Sequence, residues 1–194
     1  VAKLAGRWQA ILPGMHETCS YDPETGKLLW SCRGPAEVAG CTAAFHDPFV
    51  FSSGGFPERE ILAIRADGTG DVTKSHIAWR AAKGAPYVPS PLYHQDHIYM
   101  VADNGVATCL DAKSGKQLWQ QRLEGAFTSS PVLAGGLLYA TNEAGKTYLL
   151  EAGPKFSQVG ANNLGEPVLS TPAICGGQIF LRTDRHLYCI GGGK

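Results

Sequence analysis

The stretch His94-Gln95-Asp96-His97 places two imidazoles on either side of a carboxylate across a predicted hairpin turn, and these are side-chain types that bind zinc. His46 aligns with His94 one repeat earlier, and Cys175 takes the same place two repeats later, so a circular stack of repeats would turn His46, His94 and Cys175 toward a common axis. Zinc needs three or four converging N, S or O ligands. The repeat between His94 and Cys175 carries Ala134 at that place, and the pattern reads as ordinary turn polarity, so no metal ligand is assigned. The six cysteines (Cys19, Cys32, Cys41, Cys109, Cys175, Cys189) include neither a C-x-x-C motif nor an adjacent pair, which argues against a zinc knuckle or a thioredoxin-like centre. There is no Gly-x-Ser-x-Gly elbow to present a nucleophile. Nor is there a phosphate loop, because Gly192-Gly193-Lys194 does not complete one. No catalytic residue is assigned.

Charge narrows the partners. Lys+Arg 17 against Asp+Glu 17 leaves a formal net charge of +0, so no general field draws the chain to nucleic acid or anionic lipid. No stretch approaches the roughly 18 to 20 apolar residues of a membrane span, and Val1, Lys3 and Arg7 open the chain without a signal-type apolar core. The chain starts without Met and in mid-repeat, so a targeting segment removed upstream is compatible with it and the native compartment stays open.

The elements that must position any site follow from an internal repeat. Ser90-Pro91-Leu92-Tyr93, Ser130-Pro131-Val132-Leu133 and Thr171-Pro172-Ala173-Ile174 recur at spacings of 40 and 41 residues, and Thr42-Ala43-Ala44-Phe45 is an earlier copy 48 residues upstream. The extra length of that earlier unit falls in 53–60 and in 68–75, both of turn-like composition. Gly 24 and Pro 12, spread along the chain, suit short strands and tight turns. The third unit reads as strands over 90–94, 97–102, 106–111 and 117–123, joined by turns with Asn104-Gly105 and Ser114-Gly115 to supply positive φ. A four-stranded sheet of this size buries its faces only by stacking on the next. The expected fold is all-β, a β-propeller of four-stranded antiparallel blades in one domain spanning 1–194. It comprises a partial blade over 1–32, blades over 41–80, 87–123 and 127–160, and a partial blade over 168–191. Trp30, Trp79 and Trp119 recur at one place on the outer strand, and a row that follows the structural period is expected to be buried between blades.

Tyr21-Asp22-Pro23-Glu24-Thr25-Gly26-Lys27-Leu28-Leu29-Trp30 and Cys109-Leu110-Asp111-Ala112-Lys113-Ser114-Gly115-Lys116-Gln117-Leu118-Trp119 resemble the tryptophan-docking repeat of the pyrroloquinoline-quinone-like propellers. The resemblance covers about Gln9 to Gly191 and implies a larger ring of seven or eight blades, of which this chain is similar to the C-terminal half. It also implies a periplasmic or secreted setting. The turn is altered in the second unit, Ile64-Arg65-Ala66-Asp67-Gly68, and in the fourth, where Phe156 is expected to stand in for the docking Trp and the blade to pack less tightly. Quinone enzymes of this family use adjacent cysteines, calcium and a catalytic aspartate. Neither a Cys-Cys dipeptide nor an acidic cluster for calcium occurs here, so no cofactor is expected. The alternative is part of a quinoprotein-dehydrogenase-like enzyme, with pyrroloquinoline quinone and calcium held in another half.

Propellers bind partners where the loops leading from an outer strand into the next inner strand converge at the channel mouth. Tyr87 and Phe127 occupy matching places in two such loops, with Lys83 and Glu124 near them, and these four are the candidate binding residues. The function read from the sequence is a non-catalytic binding or assembly scaffold. A protein or peptide is the favoured partner ahead of a small ligand, with no nucleic acid and no membrane span. Unpaired strands at the ends of an open arc, near Gln9 and Ile190, are expected to promote self-association.

Overall fold

A computed structural model describes residues 1–192, all of them in strands, turns and loops without a helix. Gly193 and Lys194, part of the single expected domain, lie outside the described residues. The first sheet comprises β1 (Ala2–Leu4), β2 (Arg7–Pro13), β3 (Glu17–Tyr21) and β4 (Leu28–Arg33). The second comprises β5 (Ala44–His46), β6 (Phe49–Gly54), β7 (Glu60–Arg65) and β9 (Ile77–Ala81), with the short β8 (Gly70–Asp71) between β7 and β9 in sequence. The third has β10 (Leu92–His94), β11 (His97–Val101), β12 (Val106–Asp111) and β13 (Gln117–Arg122), and the fourth β14 (Val132–Ala134), β15 (Leu137–Thr141), β16 (Lys146–Glu151) and β17 (Gln158–Asn163). β18 (Ala173–Cys175), β19 (Gln178–Arg182) and β20 (Leu187–Gly191) make the fifth. These are the antiparallel blades of a propeller.

Two boundaries differ from the sequence reading. The first unit holds four strands within 1–33 where a partial blade is expected, because Ala2–Leu4 pairs with Arg7–Gln9 through a tight turn at Ala5-Gly6 that contains no Pro to announce an inner strand. The insertion after Ala66 does not extend its own blade. β8 crosses to run parallel to β4 of the first blade, and Val72, which follows it, is buried and donates its N–H to the Ser31 carbonyl at 2.8 Å.

Strand alternation puts both faces of each blade to use. Val50, Leu62 and Ile64 of the second blade pack with Leu4, Trp30 and Cys32 of the first. The intervening residues Phe51, Ile61 and Ala63 pack with Ile98, Met100 and Leu110 of the third. The core therefore lies between blades. Near the axis a chain of hydroxyls joins successive inner strands: the Thr42 N–H donates to Ser90 Oγ at 3.0 Å, the Ser90 N–H to Ser130 Oγ at 2.9 Å, and the Ser130 N–H to Thr171 Oγ1 at 3.1 Å. This explains why each repeat opens with Ser or Thr. The side chain satisfies a backbone donor of the blade before it, a donor that would otherwise be orphaned.

The docking motif has an equally local cause. Asp111 Oδ1 accepts hydrogen bonds from the Ser114 N–H at 2.8 Å and hydroxyl at 2.6 Å, and the hydroxyl in particular holds the carboxyl below the usual aspartate range. Gly115 follows at φ 69°, and a Cβ there would come within 2.6 Å of the Trp79 ring. Trp79 Nε1 donates to the Ala112 carbonyl at 2.9 Å, so the tryptophan of one blade seats on the Asp-x-x-Ser-Gly turn of the next. Trp119 repeats the arrangement one blade later, its Nε1 donating to the Gly153 carbonyl at 2.9 Å. Phe156 does not stand in for a docking tryptophan. It sits in the turn before β17 and packs edge-on against Trp119 of the preceding blade, with ring centroids 5.4 Å apart. The docking place of the fourth blade belongs to Gly160, opposite Leu149, as Trp119 is opposite Cys109 and Trp79 opposite Ala63.

Candidate partner-binding face

In an antiparallel four-stranded blade, the loop into the inner strand and the turn between the second and third strands lie at the same end. Lys83, Tyr87, Glu124 and Phe127 all belong to loops at that end, and the turns 102–105 (β11 to β12) and 142–145 (β15 to β16) lie beside them. The Tyr87 and Val88 N–H groups donate to the Asp103 carboxylate at 2.9 and 3.1 Å, while the Asp103 carbonyl accepts the Phe127 N–H at 2.9 Å. One residue thus fastens two consecutive loops. Glu143 has the same role one blade on, where its carboxylate accepts the Thr128 hydroxyl at 2.7 Å and its carbonyl the Val168 N–H at 3.0 Å. Neither acid was singled out from sequence. The available signal was an acidic residue at the second place of two Gly-ending turns, 40 residues apart.

The four candidate residues separate by role. Lys83 is exposed and lines a hollow of about 240 Å³ with Arg59, Asn104 and Gln120, among others. Arg59 approaches the Asp103 carboxylate at 3.7 Å. Tyr87 is half-buried, with Gly40 and Gly55 packed so closely against it that a Cβ at either would collide with it. Glu124 projects into solvent, its side chain 81% exposed, and pairs with Lys146 at 3.0 Å; Lys146 in turn lies over the Tyr148 ring at 5.0 Å. The bond to Glu124 raises the Lys146 pKa. Phe127, the other candidate aromatic, is 1% exposed and packs on Tyr148 at 6.2 Å within the core between the third and fourth blades, so its ring is not available to a partner. Its ring buries more favourably under the loop than at a wet rim. Two charged clusters result, Arg59 with Lys83 and Glu124 with Lys146, and they are connected through Asp103 and the two loops it fastens.

At the opposite end His46 and Asp96 have other partners. The His46 ring stacks on Tyr93, with centroids 4.3 Å apart and planes 9° off parallel, and Asp96 is taken by Lys113 at 3.0 Å. Among the described residues no three His, Cys, Asp or Glu side chains gather in a manner suited to a metal ion. Burial pushes the thiol pKa of Cys32 and Cys41 up to about 11 and that of Cys109 up to about 12, which leaves these sulfurs protonated and poorly nucleophilic at neutral pH.

Comparison with known proteins accords with this architecture. The model of a family described as outer membrane protein assembly factor BamB matches residues 20–153. A protein of that name from Burkholderia pseudomallei is 31% identical over 107 residues, 54% of this chain and 28% of the relative. Another from Alkalilimnicola ehrlichii is 24% identical over 176 residues, covering 86% of this chain and 44% of the relative. The chain therefore spans less than half the length of these curated relatives. The crystal structure of BamB from Moraxella catarrhalis superposes with a TM-score of 0.71 at 13% identity, over 91% of this chain and 55% of that one, a likeness of fold.

Proposed function

The chain belongs to the family of outer membrane protein assembly factor BamB, built on pyrroloquinoline-quinone-like repeats, and from that premise we propose that it serves as a non-catalytic scaffold in protein assembly, seating a protein partner on the loop face. The observation that carries this reading is the double attachment of Asp103, which braces two loops and so holds Lys83, Arg59 and Glu124 in place before a partner arrives. A face ordered in advance loses less conformational freedom on binding. Exposed cations and an anion on separate loops favour a partner of mixed charge and act chiefly on its rate of encounter. Tyr87, half-buried and wedged between glycines, supplies the rigid aromatic anchor typical of an interface. The setting we propose is the periplasm, where outer-membrane proteins are assembled.

Photo-crosslinkers placed at Lys83, Tyr87 and Glu124 of the protein in its own cells test the reading, with Lys113 and Lys155, which lie in turns at the other end, as comparison sites. The expected result is a discrete protein adduct from the loop face alone. A Lys83→Glu/Arg59→Glu double variant should then lower that adduct at least fivefold and reduce the yield of folded outer-membrane proteins. Equal adducts from both ends, or unchanged assembly with both charges reversed, would remove it.

Nothing in the residues favours the quinone alternative: adjacent cysteines are lacking and the buried thiols are protonated. We expect no stoichiometric binding of pyrroloquinoline quinone by this chain in calorimetry with calcium supplied. Stoichiometric heat, or quinone-dependent dye reduction with an alcohol, would reverse that expectation.

A further inference from the structure

We propose that the junction between the fourth and fifth blades is a binding site for a tryptophan side chain presented by a partner polypeptide, separate from the loop face. The argument begins with strand register. Trp30, Trp79 and Trp119 each stand opposite the residue just before an irregularity in the pairing of the third and fourth strands of their sheets, and in the fourth blade that place is Gly160. The next blade is nonetheless shaped as if a ring were to come. A cavity of about 230 Å³ opens there, walled by Tyr139, Leu149, Leu164, Ile179, Leu181 and Ile190.

Its walls correspond to the surroundings of Trp119 one repeat back. Tyr139 replaces Tyr99, whose ring lies 6.2 Å from that of Trp119; Ile179 replaces Leu138, and Ile190 replaces Leu150. Aliphatic and aromatic walls have been kept while the ring that covers them has gone. Removal of a docking ring from a junction that cannot collapse leaves apolar surface without contact partners.

The chemistry of the occupant follows from the walls. Among the described residues no charged side chain lines the cavity, so they offer an ionic ligand no compensation for its desolvation. Asn162 belongs to the lining, and its side-chain amide carries an oxygen able to accept an indole N–H, the kind of bond that Trp119 makes to the Gly153 carbonyl. Ile190, which lines the cavity and is 43% exposed, forms an apolar collar at its rim that would cover the residues flanking the inserted ring. That collar is why the site suits a side chain on a polypeptide better than a free small molecule.

The test titrates the full chain with N-acetyl-tryptophanamide and with a tryptophan-bearing peptide and its alanine counterpart, read by methyl shifts of Leu149, Ile179 and Ile190. Saturable shifts at these methyls are expected, with the tryptophan peptide binding at least tenfold tighter than the alanine one and tighter than N-acetyl-tryptophanamide. Gly160→Trp should restore the docking row, since a Cβ there meets only Leu149 Cδ1 at 3.6 Å. It should raise the melting temperature and weaken peptide binding at least tenfold. If that variant does not fold, Ile190→Gln, on the open margin, should weaken binding at least threefold without loss of structure. Absence of saturable shifts, shifts confined to other residues, or equal binding of the alanine peptide would overturn the proposal. So would a chain that self-associates and ceases to do so on Trp8→Ala, since the occupant would then be a second copy through its exposed Trp8. The loop-face variants leave these outcomes unchanged, so failure here and failure of the scaffold reading are separable.

Discussion

Replacing Trp119 by alanine is expected to lower the unfolding free energy by about 3 to 5 kcal/mol, the range for removing a large buried ring whose surroundings collapse only in part. The indole is 8% exposed and lies between Tyr99 of its own blade at 6.2 Å and Phe156 of the next at 5.4 Å, with its N–H on the Gly153 carbonyl. Its removal leaves a void along most of the junction between the third and fourth blades and an acceptor without its donor. Trp79→Ala should cost less, because that ring is only half-buried. Chemical denaturation of both variants decides the point. A loss below about 1 kcal/mol for Trp119→Ala, or a larger loss for Trp79→Ala, would show that junction packing does not hold the blades together.

Gln9→Leu is expected to cost on the order of 3 to 4 kcal/mol although it adds apolar surface to a buried position. Gln9 is fully buried and uses its amide completely. Its Oε1 accepts from Ser20 Oγ at 2.7 Å and Trp30 Nε1 at 2.8 Å, and its Nε2 donates to the Leu4 carbonyl at 2.9 Å and the Ala66 carbonyl at 3.0 Å. Ala66 retains the Arg7 guanidinium at 3.2 Å, but Ser20 and Trp30 are left with buried donors that water cannot reach, each costing about 1 to 3 kcal/mol. Trp30→Phe should therefore destabilise less in the Gln9→Leu background than in the wild type, a coupling that a double-mutant cycle measures. Additive losses, or a neutral Gln9→Leu, would mean that the network contributes nothing beyond its shape.

Gln9 also marks where sequence reading stops. A glutamine in an otherwise mixed strand carries no periodic signal, and its value arises only when Trp30, Ser20 and Ala66 converge on it from 11 to 57 residues away. Asp103 belongs to the same class. In the chain it is one residue of a hairpin turn; in the fold it fastens two loops on either side of a blade.

What the sequence determined by itself is everything governed by period. The 40-residue recurrence of Ser/Thr-Pro, the Asp-x-x-Ser/Thr-Gly turns and the alternating apolar runs were enough for the all-β blades, for the strands of the third unit to within two residues, and for the burial of Trp30 and Trp119, with Trp79 half-buried. Each of those signals is local, because turn geometry and strand alternation act over a few residues. Tertiary structure alone decided the remainder. It paired Ala2–Leu4 as an inner strand, sent β8 to the neighbouring blade, buried the Phe127 ring while leaving Tyr87 half-exposed, and gave the fourth docking place to Gly160 rather than Phe156. All four depend on strand register and on what the adjacent blade presents, which are relations between segments distant in the chain, and a repeat pattern constrains such relations only where the repeat is intact.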